Sequence, residues 1–202
     1  MPLWLDRQAL VLASKSDVRG KLLAAAGLRF EVRPASIDER AVEKAAGVVD
    51  AAAAAVLLAR AKALHVAAQR PGQLVLGADQ TLALGGRRFS KPADRAAAAE
   101  QLRALRGKMH QLHSALALAR DGTVLFDCVG TARLTMREVS DSFLEEYLDI
   151  AGHTALQSVG GYQLEGLGVH LFDKIDGDYF TILGLPLLPL LAFLRDNKFI
   201  DG

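Results

Sequence analysis

The feature that most constrains this chain lies near its middle, where Asp121-Gly122 separates two strand-like runs, Met109 to Arg120 and Thr123 to Arg137. An Asp-Gly pair between two such runs suits a tight turn with positive φ at both central residues, and its twist matches that of the flanking strands. The chain therefore has to carry a long antiparallel hairpin. Upstream, short apolar runs alternate with helical stretches, which is the pattern of parallel pairing. Together the two halves predict an α/β protein with a mixed central sheet and flanking helices.

The remaining elements follow from local chemistry. Ala9 to Ala13 reads as a strand running into a helix over Val18 to Ala26, with Ser16 or Asp17 as cap and Gly27 as stop. Phe30 to Arg33 reads as a second strand, ended by Pro34. Ala51 to Gln69 contains neither Gly nor Pro and predicts a long helix. Leu74 to Leu76 predicts a buried strand with Gly77-Ala78-Asp79 at its end, and Thr81 to Phe89 a hairpin about Gly85-Gly86. Asp94 caps a further helix ending near Gly107. Ser140 to Ile150 has Phe143, Leu144, Tyr147 and Leu148 at helical spacing. Gly160 to Gly168 reads as a glycine-rich loop, Val169 to Ile175 as a strand, and Leu185 to Asn197 as a last helix with Pro186 in its first turn.

Composition narrows the class. The 202 residues suit a single domain, 1–202, or one domain with two lobes. A net charge of +1 gives no broad electrostatic reason to bind nucleic acid or a membrane surface, so an anionic ligand has to be held by local groups. Cys128 is the one cysteine, which excludes an internal disulfide and suits a reducing compartment. Met1 to Arg7 lacks the form of a signal peptide, and the apolar stretch Ile182 to Leu194 is too short to span a bilayer. The expectation is a cytoplasmic protein.

Several segments carry candidate chemistry. Ser14-Lys15-Ser16-Asp17-Val18-Arg19 places hydroxyls and cations where a strand meets a helix N-terminus. Free backbone N–H groups there favour a phosphate, although an ordinary cap would look the same. The segment matches neither a P-loop nor a dinucleotide-binding turn. Asp38-Glu39 at a turn can hold Mg²⁺ or simply face solvent. Asp79, directly after a buried strand, is expected at the rim of the sheet, where it serves as a ligand or catalytic carboxylate or as a turn residue. Lys91 can neutralise a phosphate as a point charge or merely solubilise. Gly160 to Gly168 can approach a ligand closely, with Gln163 or Glu165 reading a base edge. The histidines show no zinc-ligand spacing.

In order along the chain, these segments resemble the Maf family. Leu12 to Arg19 resembles its opening L-A-S-x-S-P-R-R. Ile37-Asp38-Glu39 resembles its I-D-E turn, and Ala59-Arg60-Ala61-Lys62-Ala63 its helical A-x-x-K-A. Gly77-Ala78-Asp79 resembles G-A-D, and Lys91-Pro92 resembles G-K-P with Ser90 in place of glycine. Gly160 to Gly168, Ile175 to Phe180 and Gly184 to Leu187 resemble its C-terminal signature. The resemblance implies a two-lobed fold around a cleft, related to inosine triphosphate pyrophosphatases, and a homodimer. It implies hydrolysis of a nucleoside triphosphate to the monophosphate and pyrophosphate, with Mg²⁺ or Mn²⁺. The matching functional positions are Ser14, Arg19, Glu39, Lys62, Asp79 and Lys91. In the chemistry that follows, Ser14, Arg19, Lys62 and Lys91 hold the phosphates. Glu39 and Asp79 bind the metal or orient water, with Asp79 as general base. Arg19 and Lys91 are expected on the surface of the cleft. A nucleotide-binding regulator of septum formation without catalysis is the competing reading; retention of both acids argues against it.

Two departures bear on the base. The family's S-P-R-R is Ser16-Asp17-Val18-Arg19 here, and Gln80 and Glu165 stand where the commonest form has threonine and glutamine. Gln80 and Glu165 resemble the branch acting on 7-methyl-GTP rather than the one acting on dTTP and UTP. A carboxylate can accept hydrogen bonds from guanine N1–H and the 2-amino group, and its charge suits a cationic methylated purine. Val18 replaces the aromatic residue expected in that branch.

Overall fold

The computed structural model describes residues 4–6 and 8–201. Met1, Pro2, Leu3 and Arg7, on which part of the signal-peptide reading rests, lie outside the described residues. Seven strands form one mixed sheet: β1 Leu10–Leu12, β2 Phe30–Val32, β3 Val75–Leu84, β4 Arg87–Phe89, β5 Met109–Arg120, β6 Thr123–Met136 and β7 Phe172–Asp176. Their order is β2-β1-β3-β5-β6-β7, with β4 on β3. β1 runs parallel to β2 and β3, whereas β3 with β4 and β6 with β7 are antiparallel. The expected α/β class with a mixed sheet is therefore what forms. The long hairpin is β5 and β6, and Asp121 and Gly122 both take positive φ, 49° and 78°.

The helices are α1 Asp17–Ala25, α2 Glu39–Ala46, α3 Ala51–Ala67, α4 Arg95–Leu105, α5 Asp141–Ala151, α6 Tyr179–Ile182 and α7 Leu187–Asp196. Capping decides where most begin. Ser16, Asp38, Asp50, Asp94, Ser140 and Asp178 each accept a backbone N–H from the first turn of α1 to α6 in turn. Among the described residues, no helix is long and apolar enough to cross a membrane.

The chain divides into two compact units. The first comprises Met1–Gln80, Ser114–Gly130 and Gly184–Gly202; the second comprises Thr81–His113 and Thr131–Leu183. In the first unit, α3 lays Ala55, Ala59 and Ala63 on Val11 and Ala13, on Val75, and on Ala115, Ala117 and Ala119 of β5. Small residues on both sides bring the helix axis close to the sheet, and this sets the height of everything α3 carries. The second unit buries Leu82, Phe89, Leu102, Leu112, Leu134, Tyr147 and Tyr162 in its own core.

Four local expectations are corrected. Asp38-Glu39 is not a free turn: Asp38 caps α2 and Glu39 is its first residue. β3 does not stop at Gly77 but runs on to Leu84, so Asp79 lies within a strand rather than at a rim. Residues 167–171 form a 3₁₀ turn, and β7 begins only at Phe172. Finally, α6 was not foreseen, and Pro186 lies just before α7 rather than inside it.

Candidate active site

Five of the sequence-selected residues converge in the first unit. β1 ends at Leu12, Ser14 follows two residues later, and α1 starts after Ser16, so Ser14 lies in the short connection from the strand to the helix N-terminus. Ser14 Oγ accepts from Ser16 N at 3.2 Å and from Arg19 Nη1 at 3.1 Å. Arg19 points back under its own helix. Its Nη1 donates to Ala78 O at 2.9 Å and its Nε to Gly184 O at 2.8 Å. One guanidinium thus ties β1, β3 and the segment before α7 together. Arg19 is 9% exposed, which corrects the expectation of a surface residue. Burial lowers its pKa, and the negative charges of Asp79 and Glu39 offset part of that effect.

Gly184 has φ +94°, and a Cβ there would stand 3.4 Å from Arg19 Nη2 and 3.7 Å from Gln80 Cδ. A side chain would fit in ordinary contact with both groups but would be strained in backbone.

Lys62 projects from α3, one residue before Ala63 of the buried alanine face. Its Nζ donates to Asp79 Oδ1 at 2.6 Å and pairs with Glu39 Oε1 at 2.7 Å. The lysine side chain is 13% exposed, that of Asp79 11% and that of Glu39 50%. The Asp79 carboxyl is pushed above the usual carboxylate range by burial, against the pull of Lys62 and Arg19. Burial makes it a stronger base than a solvated aspartate, and the nearby cations keep the ionised form within reach.

A glycine makes this meeting geometrically feasible. A Cβ on Gly77 would fall 2.2 Å from Ala59 O and 2.6 Å from Ala63 N. Only a residue without a side chain lets β3 and α3 approach so closely.

Gln80 follows Asp79, and its Nε2 donates to Ser114 Oγ on β5 at 2.9 Å. Ser114 is fully buried and gave no signal in the sequence beyond being a polar residue in an apolar strand. A cavity of about 290 Å³ opens beside the α1 N-terminus, lined by Ser14, Lys15, Ser16, Asp17, Lys21 and Phe30 among others. Val18 is half-buried on α1. Lys91 and Glu165 belong to the second unit, both exposed: Lys91 just past β4, Glu165 between two 3₁₀ turns.

The donor set suits a hard divalent cation. Glu39 and Asp79 offer carboxylate oxygens within reach of one ammonium nitrogen. Among the described residues no third His, Cys, Asp or Glu joins them. Mg²⁺ characteristically takes one or two carboxylates and completes its shell with water and substrate phosphates.

A buried and a half-exposed acid with a lysine between them, and a buried arginine at a helix N-terminus, define a protein built for a phosphorylated ligand. A family model described as Maf-like protein matches residues 9–197, and the chain belongs to that family. It is 58% identical over 200 residues to a nucleoside triphosphate pyrophosphatase of Rhodopseudomonas palustris (strain HaA2), covering 99% of both chains. It is 56% identical to a protein of the same name from Nitrobacter winogradskyi, covering 98% of both. It is also 55% identical to a 7-methyl-GTP pyrophosphatase of Rhizobium etli, covering 96% of this chain and 98% of that one.

Proposed function

We propose that this protein hydrolyses a nucleoside triphosphate to the monophosphate and pyrophosphate, with Mg²⁺ or Mn²⁺, in the cytoplasm where such nucleotides are pooled. The carrying observation is Lys62 bridging Asp79 and Glu39, with Arg19 buried alongside. The names of relatives matched over nearly the whole chain support the same reaction.

In this reading Ser14 and the backbone N–H groups at the start of α1 receive phosphate oxygens, and Lys62 and Lys91 supply mobile positive charge. Arg19 is spent largely on fixing the site, with its Nη2 edge left to contribute charge beside Gly184. Asp79 takes the proton of the attacking water as the bond between the α and β phosphates breaks and pyrophosphate leaves. Glu39 and Asp79 would hold the metal ion, which supplies charge stabilisation to the triphosphate and a more acidic water.

For the base, Gln80 and Glu165 favour a guanine carrying an extra positive charge, so 7-methyl-GTP or another modified purine should be preferred over dTTP and UTP. The test is a panel of 7-methyl-GTP, GTP, dTTP and UTP under one metal concentration, with the Glu165→Gln variant alongside. The assignment predicts the highest kcat/KM for 7-methyl-GTP, reduced in the variant. A higher value for dTTP or UTP would remove the base assignment while leaving the reaction intact.

A further inference from the structure

The Lys62 ammonium lies where the two candidate metal-binding carboxylates meet. It is 2.6 Å from Asp79 Oδ1 and 2.7 Å from Glu39 Oε1, and only 13% of its side chain is exposed. These are charge-assisted contacts of the shortest ordinary kind. Counting Arg19, which feels both acids, the cluster holds two negative and two positive groups and is balanced without any metal. A divalent cation entering alone would leave two excess positive charges in a largely buried site, where charges are weakly screened. A triphosphate entering alone would bring strong excess negative charge. The two together come nearer to balance than either does separately.

Lys62 is also free to change partners. Its flexible four-carbon stem reaches across from α3, whereas Asp79 is fixed within β3 and Glu39 is fixed at the head of α2. A bound triphosphate offers the ammonium a new set of anionic oxygens.

We propose that Lys62 is an internal stand-in cation: it occupies the carboxylate pair in the empty site, excludes free divalent metal, and yields that place only when a triphosphate draws it away. Metal and nucleotide then bind in linked fashion, each raising the affinity of the other by the same factor. This rests on the reading that Glu39 and Asp79 hold the metal.

The test is Mn²⁺ binding to the whole protein, measured by electron paramagnetic resonance of free Mn²⁺, with and without an α,β-methylene triphosphate that cannot be cleaved. The wild type should bind Mn²⁺ weakly alone and at least tenfold more tightly with the analogue. Lys62→Met, which keeps the chain length without the charge, should bind Mn²⁺ at least tenfold more tightly than wild type when no nucleotide is present. Lys62→Arg should stay weak. Asp79→Asn in the Lys62→Met background should lose the gain. The rise in melting temperature with Mn²⁺ should be larger for Lys62→Met than for wild type, which gives a second readout if the variant is less stable. Equal, Asp79-dependent Mn²⁺ affinity in wild type and Lys62→Met without nucleotide would overturn the stand-in role while keeping the metal site. If Mn²⁺ failed to bind with the analogue, or bound independently of Asp79, the metal reading itself would fall and the proposal with it.

Discussion

Gly77→Ala should damage this protein out of proportion to one methyl group. The added Cβ would lie 2.2 Å from Ala59 O, 2.6 Å from Ala63 N and 3.0 Å from Ala63 Cβ. The first two are backbone atoms of α3, so no rotamer change relieves them. Restoring ordinary contact requires α3 and β3 to separate by roughly 1 Å along that line. Overpacking of this kind costs about 1–3 kcal/mol. The catalytic effect should be larger, because Lys62 rides on α3 next to Ala63 while Asp79 lies two residues beyond Gly77 on β3. Their 2.6 Å contact spans the widened gap. A misplacement of about 1 Å at a reacting centre can cost roughly 100-fold. Urea unfolding and pyrophosphate release should therefore both fall in Gly77→Ala, the second more steeply. Gly86→Ala is the control, since nothing lies within 4 Å of its added Cβ. Wild-type kcat/KM and stability in Gly77→Ala would refute the claim that this close approach positions the site.

Three further outcomes follow from the same geometry. Asp79→Asn should lower kcat by about 100-fold or more while the protein still folds; near-normal turnover in the folded variant would remove Asp79 from the chemistry. Arg19→Ala should lose stability as well as activity, by about 3 kcal/mol or more, since it orphans Ala78 O and Gly184 O in the interior; an unchanged melting temperature would return Arg19 to a purely ligand-facing role. His110 is fully buried beside the Tyr162 hydroxyl at 2.7 Å, and burial lowers its pKa from 6.5 to about 4. Its neutral form therefore contributes stability above pH 6.5 that is lost as pH falls toward 4, worth about 3 kcal/mol. His110→Gln should flatten that part of the pH–stability curve, and parallel curves for the two proteins would show that another group is responsible.

What could be read before the structure was mostly what local chemistry controls. The Asp121-Gly122 hairpin, the caps at Ser16, Asp94 and Ser140, and the alanine-rich α3 all formed where turn geometry and capping placed them, within a residue or two at their ends. The misses came where a distant partner overrides a local signal. Gly-Ala-Asp reads as the end of a strand, but Gly77 is small because α3 presses on it, and β3 continues past Asp79. Arg19 reads as a surface cation, but Ala78 O and Gly184 O, 59 and 165 residues away in sequence, draw it inside. The grouping of Ser14, Arg19, Glu39, Lys62 and Asp79 could be anticipated from the ordered resemblance, because each brings a group a phosphate or metal requires. The bridge of Lys62 between two acids could not, since it depends on the height of α3 above β3. Ser114, which holds Gln80, carried no local signal beyond being a polar residue in an apolar strand.

The most direct test of the central claim is ³¹P NMR of the products formed from a triphosphate by the purified protein with Mg²⁺. The account predicts nucleoside monophosphate and pyrophosphate in equal amounts, none with EDTA, and almost none from Asp79→Asn. Nucleoside diphosphate and inorganic phosphate as products, or undiminished monophosphate and pyrophosphate from Asp79→Asn, would contradict it.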